Sequence, residues 1–126
     1  MKNLISIISI ALLAVACGAT ADKACDLQIP APEDVVMYQV NPRNFAPQNS
    51  FNAVAAHLDS IKTMGVNTIW FMPVYEIGKI KSVNSPYSIK DYRSVNPEFG
   101  TLADFKSLVA ESHKRGMIVI VRSEER

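Results

Sequence analysis

Apolar positions follow two rhythms along this chain. Val35 to Val40, Val66 to Met72 and Met117 to Val121 are apolar at nearly every position, whereas the stretches between them repeat apolar residues every three or four positions. Continuous runs suit strands buried on both faces, and the spaced pattern suits helices with one apolar side. From Phe51 the residues Phe51, Val54, Ala55, Leu58, Ile61 and Met64 keep the helical spacing, with Ser50 placed to cap the start and Gly65 to end it. Leu102, Phe105, Leu108 and Val109 share one face of a second helix. It opens at Thr101 with Asp104 at the capping-box position, and closes with Lys114 and Arg115 ahead of Gly116.

The order is strand, helix, strand, helix, strand, which predicts a parallel sheet covered on both faces and joined by right-handed crossovers. Asn41 and Pro42 close the first strand and Pro73 halts the second, since proline cannot extend a central ladder. The segment from Val74 to Gly100 holds Gly78, Pro86 and Pro97 with no sustained period, and reads as a long connection without regular structure, a type that in compact domains is usually functional or disordered. Periodicity leaves a doubly wound sheet and a barrel both open. The lack of a glycine-rich turn after the first strand argues against a dinucleotide-binding unit.

The N-terminus has a different character. Lys2, the apolar run Leu4 to Ala16 and the small residues around Cys17 and Gly18 read as an export signal over residues 1–17, too short for a permanent span. Ala14-Val15-Ala16 and Ala19-Thr20-Ala21 both offer small-x-small cleavage sites. The run ending in Ala16-Cys17 also resembles a bacterial lipobox, in which Cys17 is acylated and tethers the protein to a membrane surface. Residues 18–34, with Pro30 and Pro32, read as a linker without secondary structure. Cys25 is then left as a lone thiol, and two cysteines in so unpatterned a segment predict neither a core disulfide nor a metal site.

Composition narrows the partners. The 126 residues carry 13 Lys plus Arg against 12 Asp plus Glu, a formal net charge of +1, with no basic stripe to neutralise a row of phosphates, so nucleic acid is not an expected partner. Hydrophobic residues reach 48%, part of which belongs to the N-terminal segment.

Three segments resemble the alpha-amylase family of glycoside hydrolases: "VMYQVNPRNF" its first strand and turn, "GVNTIWFMPV" its second strand, and "SPYSIKDYRSVNPEFGTLADFKSLVAESHKRGMIVIV" its loop, second helix and third strand. Their order and spacing span residues 35–121. The resemblance implies an α/β TIM (β/α)8 barrel, here truncated after about three strands and two helices, because such a barrel takes about 250 residues. It also implies retaining hydrolysis of α-glucans or malto-oligosaccharides at the C-terminal ends of the strands, with two carboxyl groups about 5 to 5.5 Å apart. In the family those groups come from strands four and five, with a further aspartate after strand seven, so no catalytic residue is assigned in this chain.

The resemblance assigns Tyr87 to sugar stacking in the subsite beside the scissile bond, and gives Asp91 and Tyr92 a structural place in the loop, the aspartate through backbone hydrogen bonds. Without it, Glu76 and Asp91 would be the carboxylates to nominate. His57 and His113 fall on outer helices, Trp70 on a strand with a core role, and Asn41 and Arg43 where they would brace the loop or rim.

Arg122 stands where the family's third strand runs into an aspartate, and the Asn-His that follows in many members, contributing to calcium and substrate binding, has no counterpart. Residues 122–126 read as an aberrant charged tail of the kind a frameshift, a premature stop or a mispredicted gene end produces. No cofactor is expected in this chain, and calcium is a candidate only in full-length relatives. The expectation is an exported or membrane-anchored N-terminal piece of a glycosidase that is inactive alone. Its competitor is a non-enzymatic amylase-like sugar-binding or assembly subunit at the cell surface.

Overall fold

The computed structural model describes residues 27–123. The export signal, Cys17 and Cys25 lie outside the described residues, as do the last three residues of the charged tail. A 3-10 turn at Pro32–Asp34 interrupts the segment expected to lack structure. Pro32 supplies the fixed φ, and the Asp34 amide donates to the Ala31 carbonyl at 2.9 Å.

The elements that follow are β1 (Met37–Val40), α1 (Pro42–Phe45), α2 (Ser50–Ala56), α3 (Leu58–Thr63), β2 (Thr68–Phe71), β3 (Tyr75–Ile77), β4 (Ile89–Val95), α4 (Leu102–Lys114) and β5 (Ile118–Val121). β1 starts two residues later than the apolar run because the Asn67 side chain takes the place of a ladder partner, accepting from the Val36 amide at 2.9 Å. The single helix expected from Phe51 is broken at His57, whose amide bonds back only three residues to the Val54 carbonyl. Ser50 does not cap that helix. Asn49 occupies the N-cap position in the left-handed region at φ 51 without a side-chain capping bond, while the buried Ser50 hydroxyl donates to the Pro42 carbonyl at 2.6 Å and ties α1 to α2.

β1, β2 and β5 form a parallel sheet in that order, with Tyr38, Ile69 and Val119 in one row and Val40, Phe71 and Val121 in the next on the same face. These rows pack on Phe51, Val54, Leu58, Ile61 and Leu108 of the helices. Phe105 sits 5.0 Å from Phe51 and 6.0 Å from Phe71, joining α4 to α2 and the sheet. Burying each such ring stabilises the layer by about 1.5 to 3 kcal/mol.

The other sheet face differs from expectation. Alternation gives it Met37, Gln39, Thr68, Trp70, Ile118 and Ile120, and it is only partly covered: Thr68 is buried, whereas Met37 and Ile120 are 46% and 40% exposed. Trp70 therefore lies half-buried on this open face, away from the helix-side core. The amphipathic stripes are also narrower than their spacing suggests, since Met64 and Leu102 are exposed.

Helix α4 begins as its sequence predicts. Thr101 and Asp104 form a reciprocal capping box, and Gly100 precedes it at φ 128, where an added Cβ would lie 3.1 Å from the Phe51 ring. At its other end Arg115 pairs with Asp59 at 2.7 Å and Glu111 at 2.8 Å, locking α4 to α3.

The connection from Val74 to Gly100 contains an antiparallel ribbon of β3 and β4, which the absence of clear alternation concealed. β4 is largely polar and pairs with β3 through irregular register, held by side chains as much as by ladder bonds. Tyr75 and Tyr92 meet at 5.3 Å, and Lys90 pairs with Glu76 at 2.5 Å. Asp91 and Tyr92 thus belong to a strand, not to a loop.

Candidate functional site

The three parallel strands point their C-terminal ends the same way, and their backbone pairing continues one residue further. The Met72 amide donates to the Val40 carbonyl at 2.8 Å, and the Arg122 amide donates to the Phe71 carbonyl at 2.8 Å. Asn41, Met72 and Arg122 are therefore level with one another. Alternation assigns this level to the same open face as Gln39, Trp70 and Ile120. A crevice at the carboxyl ends of parallel strands is where α/β sheets bind ligands.

Tyr87 lies at this edge. Its hydroxyl points to Met72 Sδ at 3.7 Å, and the same sulfur accepts from Gln39 Nε2 at 2.9 Å. The Arg122 guanidinium stands over the Tyr87 ring with its carbon 5.2 Å from the centroid. A chain of Gln39, Met72, Tyr87 and Arg122 thus spans all three strand ends and the loop. Arg122, read from sequence as the first residue of an unrelated tail, is part of this cluster. Only its place directly after β5 could have signalled that.

Tyr87 is positioned by successive turns. Ser85 N bonds to the Ser82 carbonyl and Ser88 N to the Ser85 carbonyl, while the Tyr87 amide donates to Ser85 Oγ at 3.3 Å. Arg43 holds the loop from the far side of the chain. Its guanidinium donates to the Asn84 carbonyl at 2.9 Å and pairs with Glu98 at 3.4 Å. Asn41 caps α1 by accepting from the Arg43 amide at 3.2 Å, which fixes where Arg43 starts.

The carboxylates near this edge are committed elsewhere. Glu76 accepts from Lys90 and from Ser94 Oγ, and these two hydrogen bonds hold its carboxyl below the usual range. Asp91 faces Glu76 across the ladder and accepts from the Arg93 amide at 2.8 Å. The residues directly after the three parallel strands are Asn41, Met72 and Arg122, none of them a carboxylate. His57 takes its place between two outer helices, its Nδ1 2.8 Å from the Ala53 carbonyl, and His113 lies on α4. Among the described residues no three His, Cys, Asp or Glu side chains gather as a metal-holding group.

A separate cavity of about 620 Å3 is lined by Glu76, Lys79, Lys81, Ser82, Asn84 and Glu98 among others, without Tyr87 or Arg122. It is an open, mixed-charge hollow beside the ribbon, and it does not coincide with the strand ends.

A family model described as alpha amylase, catalytic domain, matches residues 39–122. The oligo-1,6-glucosidase of Parageobacillus thermoglucosidasius is 37% identical over 94 residues, covering 71% of this chain and 16% of that enzyme. Among solved structures, an alpha-amylase from Lactobacillus plantarum superposes with a TM-score of 0.65 at 41% identity, over 70% of this chain and 22% of that one. The trehalose-6-phosphate hydrolase of Bacillus licheniformis superposes with a TM-score of 0.61 at 34% identity, over 70% of this chain and 16% of that one. The chain thus spans about a sixth of the length of the curated relatives it matches.

Proposed function

The chain belongs to the alpha-amylase family of glycoside hydrolases, its parallel strands and helices forming part of a TIM barrel, and on that premise we propose that it contributes one wall of an α-glucan site. In this reading Tyr87 is the stacking platform. Its flat ring suits the apolar face of a pyranose, and its hydroxyl and loop are anchored before any sugar arrives. The observation that carries the reading is the position of Tyr87 beside Met72 and Arg122, level with the C-terminal ends of three parallel strands. Asp91 and Tyr92 hold the ribbon that presents the loop, the first through the Arg93 amide and the second against Tyr75.

The same geometry supports a chain that binds without hydrolysing. Retention needs a nucleophile and an acid about 5 to 5.5 Å apart at the anomeric carbon. Asn41, Met72 and Arg122 offer neither, and Glu76 and Asp91 are tied into the β3–β4 ribbon. The chain's part in glucan breakdown is then sugar contact and scaffold, with the carboxylates supplied by barrel strands outside these residues. Export, with a lipid on Cys17 tethering the protein to the cell envelope, belongs to the same proposal and rests on the pattern of residues 1–17.

The test is a titration of the full chain and of Tyr87→Ala with maltotriose, followed by NMR. Sugar contacts that vanish in Tyr87→Ala support the platform. Equal binding by both proteins would remove Tyr87 from the site.

A further inference from the structure

The cation over Tyr87 has a consequence for how the platform works. A sugar stacks on an aromatic ring by covering its face, and one face of this ring already lies beneath a guanidinium at 5.2 Å. That guanidinium is not a loosely attached neighbour, because the Arg122 amide is fixed to the Phe71 carbonyl at 2.8 Å and so holds the side chain's root at the end of β5. The Tyr87 ring is equally constrained, by its hydroxyl contact to Met72 and its amide contact to Ser85. The contact is therefore preset at the root of each side chain.

We infer that Arg122 is an intrachain occupant of the Tyr87 ring face, competing with neutral sugars for the platform and so setting how tightly this site holds them. The inference rests on the platform reading of Tyr87 and adds its regulation by a residue of the same chain. Arginine suits the role, since a planar, weakly hydrated guanidinium lies flat on an aromatic face where an ammonium would stay in water. Only the Arg122 backbone is fixed by the strand, so the exposed guanidinium is the part that a better occupant displaces. Displacing an exposed cation–π contact corresponds to a loss of about two- to five-fold in apparent sugar affinity.

The experiment compares the full chain, Arg122→Ala, Tyr87→Ala and the double variant, each titrated with maltotriose and followed by NMR. Arg122 is exposed and outside the packed layer, and a melting curve of Arg122→Ala beside the parent chain checks that the fold is kept. Arg122→Ala is expected to bind about two- to five-fold more tightly than the parent, and the gain is expected to disappear in the double variant. Unchanged or weaker binding by Arg122→Ala, with Tyr87→Ala impaired, would overturn the competition while leaving the platform standing. Indifference of binding to Tyr87→Ala would instead remove the platform. A second readout needs no sugar: the side-chain methylene protons of Arg122 should be shifted upfield by the ring, and the shift should vanish in Tyr87→Ala. Its absence in the parent chain would itself overturn the proposal.

Discussion

The Arg43 guanidinium donates to the carbonyl of Asn84 at 2.9 Å, joining the turn after the first strand to the loop that carries Tyr87. The same group reaches Glu98 at 3.4 Å, so one side chain spans three segments of the site's rim. Replacing Arg43 by Ala should free the loop between β3 and β4 more than it lowers overall stability, since exposed ion pairs contribute about 1 kcal/mol or less. Limited proteolysis is expected to cut faster between residues 78 and 88 in Arg43→Ala, with the melting temperature little changed. Unaltered cleavage would mean that the serine turns alone hold the loop.

The reciprocal bonds of Thr101 and Asp104 make a prediction about acid. The Asp104 amide donates to Thr101 Oγ1 at 3.1 Å and the Thr101 amide to Asp104 Oδ2 at 2.8 Å. The hydrogen bond from the Thr101 hydroxyl, followed by those from the Thr101 backbone and Asn52, lowers the Asp104 carboxyl below its ordinary 3.8. A depressed carboxyl stabilises the fold above its unfolded value and loses that contribution as pH falls through the folded one. Thr101→Ala should therefore destabilise the chain at pH 7, and the gap to the parent chain should shrink as pH falls below 3.8 and through the lowered value of the folded state. Chemical denaturation at pH 7 and pH 3 checks both parts.

Gly100 separates crowding from backbone strain. It sits at φ 128 with an imagined Cβ 3.1 Å from Phe51 and 3.3 Å from Asp104, whereas Gly65, at φ 84, has nothing within 4 Å of such an atom. Both alanine substitutions incur a left-handed penalty of about 1 kcal/mol or more. Gly100→Ala should be the more damaging, because it also presses on the core ring that packs α2 against α4. Equal melting temperatures for the two variants would contradict this.

The lipid reading of the N-terminus is tested by labelling. Cells fed radiolabelled palmitate and expressing the gene should incorporate label into the parent protein and not into Cys17→Ser. Label retained in the variant, or missing from both, would count against attachment at Cys17.

Much of the architecture was legible because burial is periodic. The helix-side rows Tyr38–Ile69–Val119 and Val40–Phe71–Val121 are carried by continuous apolar runs, and the capping box of α4 is written in two residues. The β3–β4 ribbon leaves no such trace, because its strands are short, largely polar and irregularly paired. The split at His57 was hidden by an apolar spacing that runs straight through it. The open face of the sheet has the opposite cause: Met37, Trp70 and Ile120 are as apolar as buried residues, and composition cannot say whether anything covers them. At the site, Tyr87 could be singled out through its motif, whereas the meeting of Arg122 with its ring depends on the register of β5 against β2.

We propose that the described residues hold sugar at Tyr87 and leave its cleavage to carboxylates carried elsewhere. Incubating the purified chain with maltotriose and measuring released reducing ends tests it most directly. No turnover above the uncatalysed rate is predicted, for the chain and for Tyr87→Ala alike. Steady release of glucose or maltose by the chain, abolished by replacing Glu76 or Asp91, would contradict it.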